Sequence, residues 1–200
     1  MAQGAPLRIG IFGGTFDPVH VGHLVAALEA RQALALDTVL MVVANDPWQK
    51  RDVRTVTGAE ERFAVVAQAV AHVDGLEASR LEIDRGGPSY TVETVIEVAA
   101  ENPGAEMFLV VGEDVAAELD TWERAGELAQ LVTLVVVDRG GVRTGTDPAG
   151  WRVMRVSIPV LEISSSDLRS RLADGRNVTF LIPDDAIRCI TGLGLYDAGR

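Results

Sequence analysis

The stretch IGIFGGTFDPVHVGHL, residues 9–24, decides the expected fold. It begins with an apolar run typical of a buried strand, continues through the glycine pair Gly13-Gly14 and a Thr-Phe-Asp-Pro turn, and ends in a helical pattern. A strand, a tight turn and a helix in this order are typical of a βαβ unit. The unpaired N–H groups and the positive dipole end of such a helix face the ligand crevice, so the turn is predicted to bind an anion.

Two of the chain's three histidines, His20 and His23, stand at the start of this helix. Residues three apart differ by about 60° around a helix axis, so both rings are predicted to reach one ligand, with Gly22 leaving room between them. A polyphosphate would supply the anion that favours two imidazoles at a positive helix end. Alternatively, the two histidines could cap the helix or bind a metal ion. For a metal site, no third ligand lies at a spacing typical of metal-binding motifs.

Apolar runs alternate with helical patterns along the rest of the chain, which predicts a doubly wound α/β fold with a mainly parallel open sheet. The expected strands are Leu7–Phe12, Val39–Ala44, Leu76–Ile83, Met107–Val111, Leu131–Val137 and Arg152–Ile158. The expected helices are Val21–Leu36, Ala59–Ala71 with a capping box from Thr57 and Glu60, Val92–Ala100, Asp114–Gln130 with a break near Trp122, Ser165–Ala173 and Asp184–Thr191. We expect a single domain over residues 1–200, a short helical subregion from about residue 160, and a surface loop over Asp138–Gly150.

Composition excludes several classes of function. The 200 residues carry a formal net charge of −11 and no basic stripe, which argues against a nucleic-acid partner. The single cysteine, Cys189, excludes an internal disulfide and favours a reducing compartment. No apolar run approaches the ~18 residues of a membrane span. We therefore expect a cytoplasmic protein with no membrane partner, and a homo-oligomer is left open.

A second segment, ISSSDLRS at residues 163–170, predicts another helix start near an anion. Ser164 or Ser165 would cap this helix, and Arg169 would lie on its first turns. Taken alone the segment is a weak signal, because serine-rich helix starts are common. The chain offers no convincing Ser/His/Asp or Cys/His arrangement, and Cys189 is expected to be a small packing residue rather than a nucleophile.

The motif GGTFDPVHVGH, residues 13–23, closely resembles that of the nucleotidyltransferases with His-x-Gly-His at the start of their first helix. The resemblance implies a Rossmann-like nucleotidyltransferase fold in which the histidines contact a nucleoside triphosphate and stabilise the departing pyrophosphate. The acceptor's own phosphate would attack the α-phosphorus. Residues 163–169 resemble the family's second signature, Ile-Ser-Ser-Thr-x-Ile-Arg, with Ser166 for Thr and Leu168 for Ile. The implied ATP site comprises Gly13, Gly14, Thr15, Phe16, His20, His23, Gly112, Asp114, Ser164, Ser165 and Arg169.

Five further segments resemble the bacterial nicotinate mononucleotide adenylyltransferases over nearly the whole chain: VVANDPWQK, TGAEERF, DRGGPSYTVETV, VVGEDVAAELDTWERAGEL and GLGLY. The resemblance implies transfer of AMP from ATP to nicotinate mononucleotide in NAD biosynthesis, with Mg²⁺ bound mainly through the ATP phosphates. Lys50 would meet the acceptor's phosphate, Tyr90 and Thr91 would flank its carboxylate, and Trp122 would stack on its ring. The implied acceptor site comprises Thr15, Asn45, Lys50, Tyr90, Thr91, Trp122 and Arg139, and the catalytic groups are His20, His23, Arg169 and Lys50.

The sequence departs from the family at three places and leaves other functions open. Trp48-Gln49 replaces a common Pro-His, Gly140 a common Pro, and Cys189 a frequent Tyr, and none of these changes removes a catalytic group. The alternatives are a different acceptor, such as nicotinamide mononucleotide or phosphopantetheine, and a sensor that binds ATP without turnover. Asp17 is expected to be a turn or cap residue rather than a metal ligand.

Overall fold

The computed structural model describes residues 5–47, 55–139 and 146–197, except for the side chain of Arg139. Its strands are β1 (Arg8–Gly14), β2 (Thr38–Val43), β3 (Leu76–Ser79), β4 (Glu106–Gly112), β5 (Thr133–Arg139) and β6 (Val153–Ile158). They form one sheet in the order β3-β2-β1-β4-β5-β6, with parallel pairing of β1 with β4, β4 with β5, and β5 with β6. The strand order reverses between β1 and β4, which confirms the doubly wound α/β fold.

The central strands are apolar because helices cover both of their faces. Residues 107–111 of β4 are all buried, and Ile9 and Ile11 of β1 lie opposite Met107 and Leu109 in the parallel register. Val42 and Val43 of β2 are likewise fully buried. This pattern confirms that the continuous Val/Ile/Leu runs are interior parallel strands.

The helices occupy the connections predicted from periodicity, except for one short helix that was not predicted, Leu81–Arg85. They are α1 (Val21–Ala33), α2 (Ala59–Val70), α3 (Leu81–Arg85), α4 (Thr91–Glu101), α5 (Glu113–Ala116), α6 (Ala125–Leu131), α7 (Ser165–Ala173) and α8 (Asp184–Gly192). A 3₁₀ turn at Leu119–Thr121 separates α5 from α6, so the expected break near Trp122 is confirmed. None of the helices in the described ranges is both long and apolar enough to cross a membrane.

Several predicted boundaries were wrong for local reasons. The third strand ends at Ser79 rather than Ile83, because Leu81–Arg85 turns into α3. The first helix ends at Ala33, where Ala35 adopts a φ of 47° and reverses the chain. Leu131 belongs to α6 and not to the fifth strand.

The predicted capping box of Thr57 and Glu60 was also wrong. The backbone N–H of Gly58 donates instead to Glu61 Oε2 at 3.2 Å. The carbonyl of Thr57 accepts from Arg62 Nε at 2.7 Å, so the chain at Thr57 is oriented toward the buried arginine.

The chain divides into two compact units. The first contains the described residues of Met1–Gly13, Ala26–Leu40 and Tyr90–Val160, and α4 packs on α6 within it. The second contains the described residues of Gly14–Val25, Met41–Ser89 and Leu161–Arg200, and α2 packs on α8 within it. Both sequence motifs lie in the second unit, apart from Gly13.

Candidate active site

The turn between β1 and α1 is fixed by an aromatic ring packed on a glycine. Phe16 is buried and has a φ of 47°, and a Cβ atom at Gly14 would lie only 2.7 Å from its Cζ. The Phe16 ring also meets the His23 ring edge to face, with centroids 5.1 Å apart. Gly14 is therefore required by packing, whereas a Cβ atom at exposed Gly13 would meet nothing within 4 Å.

The two predicted histidines form a stacked pair at the start of α1. Their ring centroids are 3.8 Å apart at an interplanar angle of 28°. His20 is buried just before the helix, and its ring lies over Gly22, where a Cβ atom would be 3.0 Å from Nδ1. The absence of a side chain at Gly22 therefore makes room for the rings, as expected, and the His20 ring contacts this glycine directly.

A backbone hydrogen bond sets the orientation of His23. The N–H of His20 donates to His23 Nδ1 at 3.2 Å, so this nitrogen is unprotonated and Nε2 carries the ring proton. His23 thereby caps the helix through one nitrogen and carries its N–H on the other. Capping and ligand binding, which the sequence posed as alternatives, are compatible in this geometry.

The second motif docks on the same turn. Arg169 Nη1 donates to Asp17 O at 2.6 Å, and Ser165 Oγ donates to Pro18 O at 3.0 Å. Ser164 Oγ caps α7 by accepting from Asp167 N at 3.2 Å. The structure therefore brings together two motifs that lie more than 140 residues apart in sequence, as shown by the 147 positions between Pro18 and Ser165.

The sequence prediction missed Arg62, which ties several loops together. This α2 side chain is 1% exposed. It donates to backbone carbonyls of Thr15, Ala44 and Thr57 at 2.7 Å and of Asn45 at 3.3 Å. Such a buried arginine fixes the ends of β1 and β2 because each N–H of its planar fork can meet a separate carbonyl. Its only signal in the sequence was an arginine within TGAEERF.

The sequence analysis singled out the GLGLY segment but did not predict a role for its tyrosine, Tyr196. Its phenol donates to Asp17 Oδ1 at 2.8 Å. Burial raises the pKa of Tyr196 above its ordinary value, and the nearby Asp17 carboxylate raises it further. Asp17 is itself buried and serves as a structural junction, consistent with the expectation that it is a turn residue.

The predicted acceptor residues divide between the described units. In the second unit, Asn45 Nδ2 donates to Gly87 O at 2.9 Å, so its amide holds the segment that leads to α4. In the first unit, Tyr90 precedes α4 and Thr91 is its first residue, and Trp122 is half-buried rather than part of the core. The residues that the structure describes do not include Trp48, Lys50, Gly140 or the side chain of Arg139.

The remaining ATP residues, Gly112 and Asp114, end β4 and start α5. The Asp114 carboxylate folds over Gly112, where a Cβ atom would lie 2.6 Å from Oδ1. The neighbouring Glu113 pairs with Arg155 at 3.2 Å, and Arg155 also binds Asp147 of the predicted surface loop. These contacts order the start of α5 within the first unit.

A cavity of about 320 Å³ adjoins Arg62 in the second unit. Its lining includes Asn45, Thr55 and Thr57. Asn45, which the resemblance assigns to the acceptor site, is one of its lining residues. The cavity therefore belongs with the candidate site.

The described residues present binding groups rather than a covalent nucleophile. Burial raises the pKa of the Cys189 thiol, which disfavours its thiolate. Within the three described ranges, no group of three or more His, Cys, Asp or Glu side chains could hold a metal ion. The chemistry of this arrangement is hydrogen bonding to an anion and stabilisation of charge.

Comparisons with known proteins identify the family of this chain. The cytidylyltransferase-like family model matches residues 11–171. A probable nicotinate-nucleotide adenylyltransferase of Corynebacterium kroppenstedtii is 42% identical over 192 residues, covering 94% of this chain and 90% of that protein. One from Streptomyces coelicolor is 43% identical over 187 residues, covering 92% and 98%.

A solved structure shares the fold at low sequence identity. Plasmodium falciparum nicotinic acid mononucleotide adenylyltransferase complexed with NaAD has a TM-score of 0.77 and 18% identity, over 95% of this chain and 97% of that one. The chain therefore belongs to the cytidylyltransferase-like family, among the nicotinate-nucleotide adenylyltransferases.

Proposed function

We infer that this chain transfers AMP from ATP to nicotinate mononucleotide, giving deamido-NAD and pyrophosphate in NAD biosynthesis. The observation that carries this inference is the stacked His20–His23 pair at the start of α1, whose second ring is oriented by the hydrogen bond from the His20 N–H to His23 Nδ1. Relatives with about 40% identity over most of the chain bear the name of this activity. We propose the cytoplasm as its compartment, on the ground of the single cysteine.

The start of α1 supplies donors for the triphosphate. His23 Nε2–H is one of them, and the N–H of Gly22 is another, since it makes no hydrogen bond within the described part of the chain. The positive end of the helix dipole adds to their attraction for phosphate oxygens. Because these groups are fixed before the substrate arrives, they can stabilise the charge that develops on the departing pyrophosphate without reorganising.

The start of α7 supplies the second set of groups. Arg169 is held by Asp17 O and by Ser166 Oγ at 2.9 Å, which places its cation beside the turn. Ser164 Oγ accepts the cap hydrogen bond and can still donate its own proton to a phosphate oxygen. Ser165 instead donates to Pro18 O, so we assign it to docking α7 on the turn.

The acceptor would be recognised by the residues that the family resemblance assigns to it. Thr15 and Lys50 would position the attacking phosphate, and Arg139 would add a further cation. The amides at the start of α4, after Tyr90, suit a carboxylate, and the half-buried indole of Trp122 suits a flat pyridine ring. Asn45 would contribute through its bond to Gly87 O.

Mg²⁺ is proposed as the cofactor. The donor set fits an ion held by the ATP phosphates and water, because Mg²⁺ retains several waters and needs few protein ligands. When bound, it would neutralise phosphate charge. The acceptor's phosphate attacks the α-phosphorus directly, and positioning by the residues above is the enzyme's main contribution.

The decisive experiment compares acceptors. Purified protein with ATP and Mg²⁺ is given nicotinate mononucleotide, nicotinamide mononucleotide or phosphopantetheine, and pyrophosphate release is recorded. We expect release to be strongly favoured by the first. Preference for another acceptor would retain the role of the histidines but contradict the acceptor site, and ATP binding without release for any acceptor would indicate a sensor.

A further inference from the structure

Tyr196 links the segment after α8 to the turn before α1. Its hydroxyl donates to Asp17 Oδ1 at 2.8 Å, across 179 positions of sequence. Asp17 is 1% exposed, so this contact is shielded from water. The roles assigned above to the binding residues do not account for this buried contact between the Asp17 carboxylate and the Tyr196 phenol.

The turn Thr15–Pro18 is held by four side chains from three separate segments, namely α2, α7 and the chain after α8. Three of them bind its carbonyls: Arg62 donates to Thr15 O, Arg169 to Asp17 O and Ser165 to Pro18 O. Tyr196 binds a side chain of the turn, the Asp17 carboxylate. Asp17 therefore contacts Tyr196 through its carboxylate and Arg169 through its backbone carbonyl. A shift of Asp17 that moves one of these hydrogen bonds also displaces the other.

Backbone geometry shows that this junction is tightly determined. Phe16 has a φ of 47° and Tyr196 a φ of 64°, values that aromatic residues rarely adopt. Such conformations persist where surrounding contacts fix them, and they concentrate at functional sites. Burial and Asp17 both raise the pKa of Tyr196, so its hydroxyl remains protonated and a donor at neutral pH.

We propose that Tyr196 is a positioning residue for ATP binding. Its hydrogen bond orients Asp17, and Asp17 in turn holds Arg169 and the turn that leads to His20. Tyr196 does not touch the substrate in this account. The proposal rests on the proposed function for the identity of its ligand, ATP.

The test separates this role from stability. Tyr196→Phe removes one oxygen and keeps the ring, and Asp17→Asn removes the carboxylate charge on the other side of the contact. Leu195→Val is the control, because Leu195 is buried next to Tyr196 and its loss of one methylene leaves the Asp17 contact intact. For each variant and the Tyr196→Phe/Asp17→Asn double variant, the measurements are the KM of ATP and of the acceptor, the Kd of α,β-methylene-ATP by calorimetry, and the Tm.

We expect Tyr196→Phe to raise the KM of ATP and the Kd of the analogue about tenfold, since a hydrogen bond to a charged acceptor is lost. The KM of the acceptor should stay within about twofold, and Leu195→Val should lower the Tm without changing ATP affinity. The double variant should be no worse than the more affected single variant, because the hydrogen bond that Asp17→Asn weakens is already absent in Tyr196→Phe.

Three results would overturn the proposal: unchanged analogue affinity in Tyr196→Phe, an equal loss of affinity in Leu195→Val, or fully additive effects in the double variant. Should Tyr196→Phe not fold, an unchanged analogue affinity in Asp17→Asn would overturn it. Failure of the proposed function is distinguishable, since wild-type protein would then bind the analogue without transferring AMP, and the calorimetric comparison would still decide the role of Tyr196.

Discussion

Replacing His23 by asparagine tests whether its two ring nitrogens have separate roles, Nδ1 as the cap acceptor and Nε2 as a donor to the substrate. The asparagine Oδ1 can occupy the position of Nδ1 and accept from the N–H of His20, which now donates to His23 at 3.2 Å. Asparagine has no group at the position of Nε2. The change should therefore preserve the cap and remove the donor.

The expected magnitudes follow from the contacts that are lost. Removing a fixed donor to developing charge costs about 10²- to 10³-fold in kcat. Loss of the stack on His20 and of the edge contact with Phe16 costs about 0.5 to 1.5 kcal/mol per aromatic pair. For a domain of this size, each kcal/mol corresponds to about 2 to 4 °C in Tm. We expect a folded protein with a modestly lower Tm and very low turnover.

His23→Gln is the matched variant, because its amide nitrogen can reach the position of Nε2 while its side chain lacks an acceptor at Nδ1. It should retain more activity than His23→Asn despite losing the cap. Pyrophosphate release and thermal unfolding are recorded for both variants. A folded His23→Asn protein with turnover within about threefold of wild type would refute the donor role.

Three further changes have defined outcomes. Gly14→Ala should lower the unfolding free energy by about 1 to 3 kcal/mol, because the new Cβ would lie 2.7 Å from Phe16. Gly13→Ala should keep the wild-type Tm and raise the KM of ATP. Thermal melts and kinetics of the two variants check both expectations. Arg62→Lys should lower the unfolding free energy by about 2 to 4 kcal/mol in urea titrations, because a lysine cannot satisfy all four carbonyls that Arg62 now binds. The raised pKa of Tyr196 means that the unfolded chain releases its phenol proton first, so stability should fall as pH rises above about 10, by up to about 1.4 kcal/mol per pH unit. The same titration of Tyr196→Phe should show a smaller fall, and identical slopes would contradict the assignment.

The strand-turn-helix order and the helix starts of both motifs were predictable because they depend on local patterns. Continuous apolar runs indicate parallel strands, and the α7 boundaries Ser165–Ala173 follow from the serine cap and the periodicity after it. That the two motifs meet at one turn followed from the family resemblance rather than from spacing. The structure supplied the contacts, through Arg169 and Ser165.

The contacts of Arg62 and Tyr196 could not be predicted from the residues alone. Arg62 binds backbone carbonyls, which every residue carries and no sequence pattern marks. Tyr196 binds Asp17, 179 positions away, and also the side chain of Thr57, and only the fold brings these residues together. The capping box failed for a related reason, since Thr57 and Gly58 both have a glutamate three residues later and the choice depends on how Thr57 meets Arg62.

The most direct test of the central claim follows labelled phosphorus from ATP in the presence of Mg²⁺ and nicotinate mononucleotide. With the label at the α-phosphorus, we expect it to appear in deamido-NAD, and with the label at the γ-phosphorus, in pyrophosphate. Transfer of the γ-label to the acceptor would show a phosphoryl transfer instead. Bound ATP with neither label transferred would contradict adenylyl transfer by this chain.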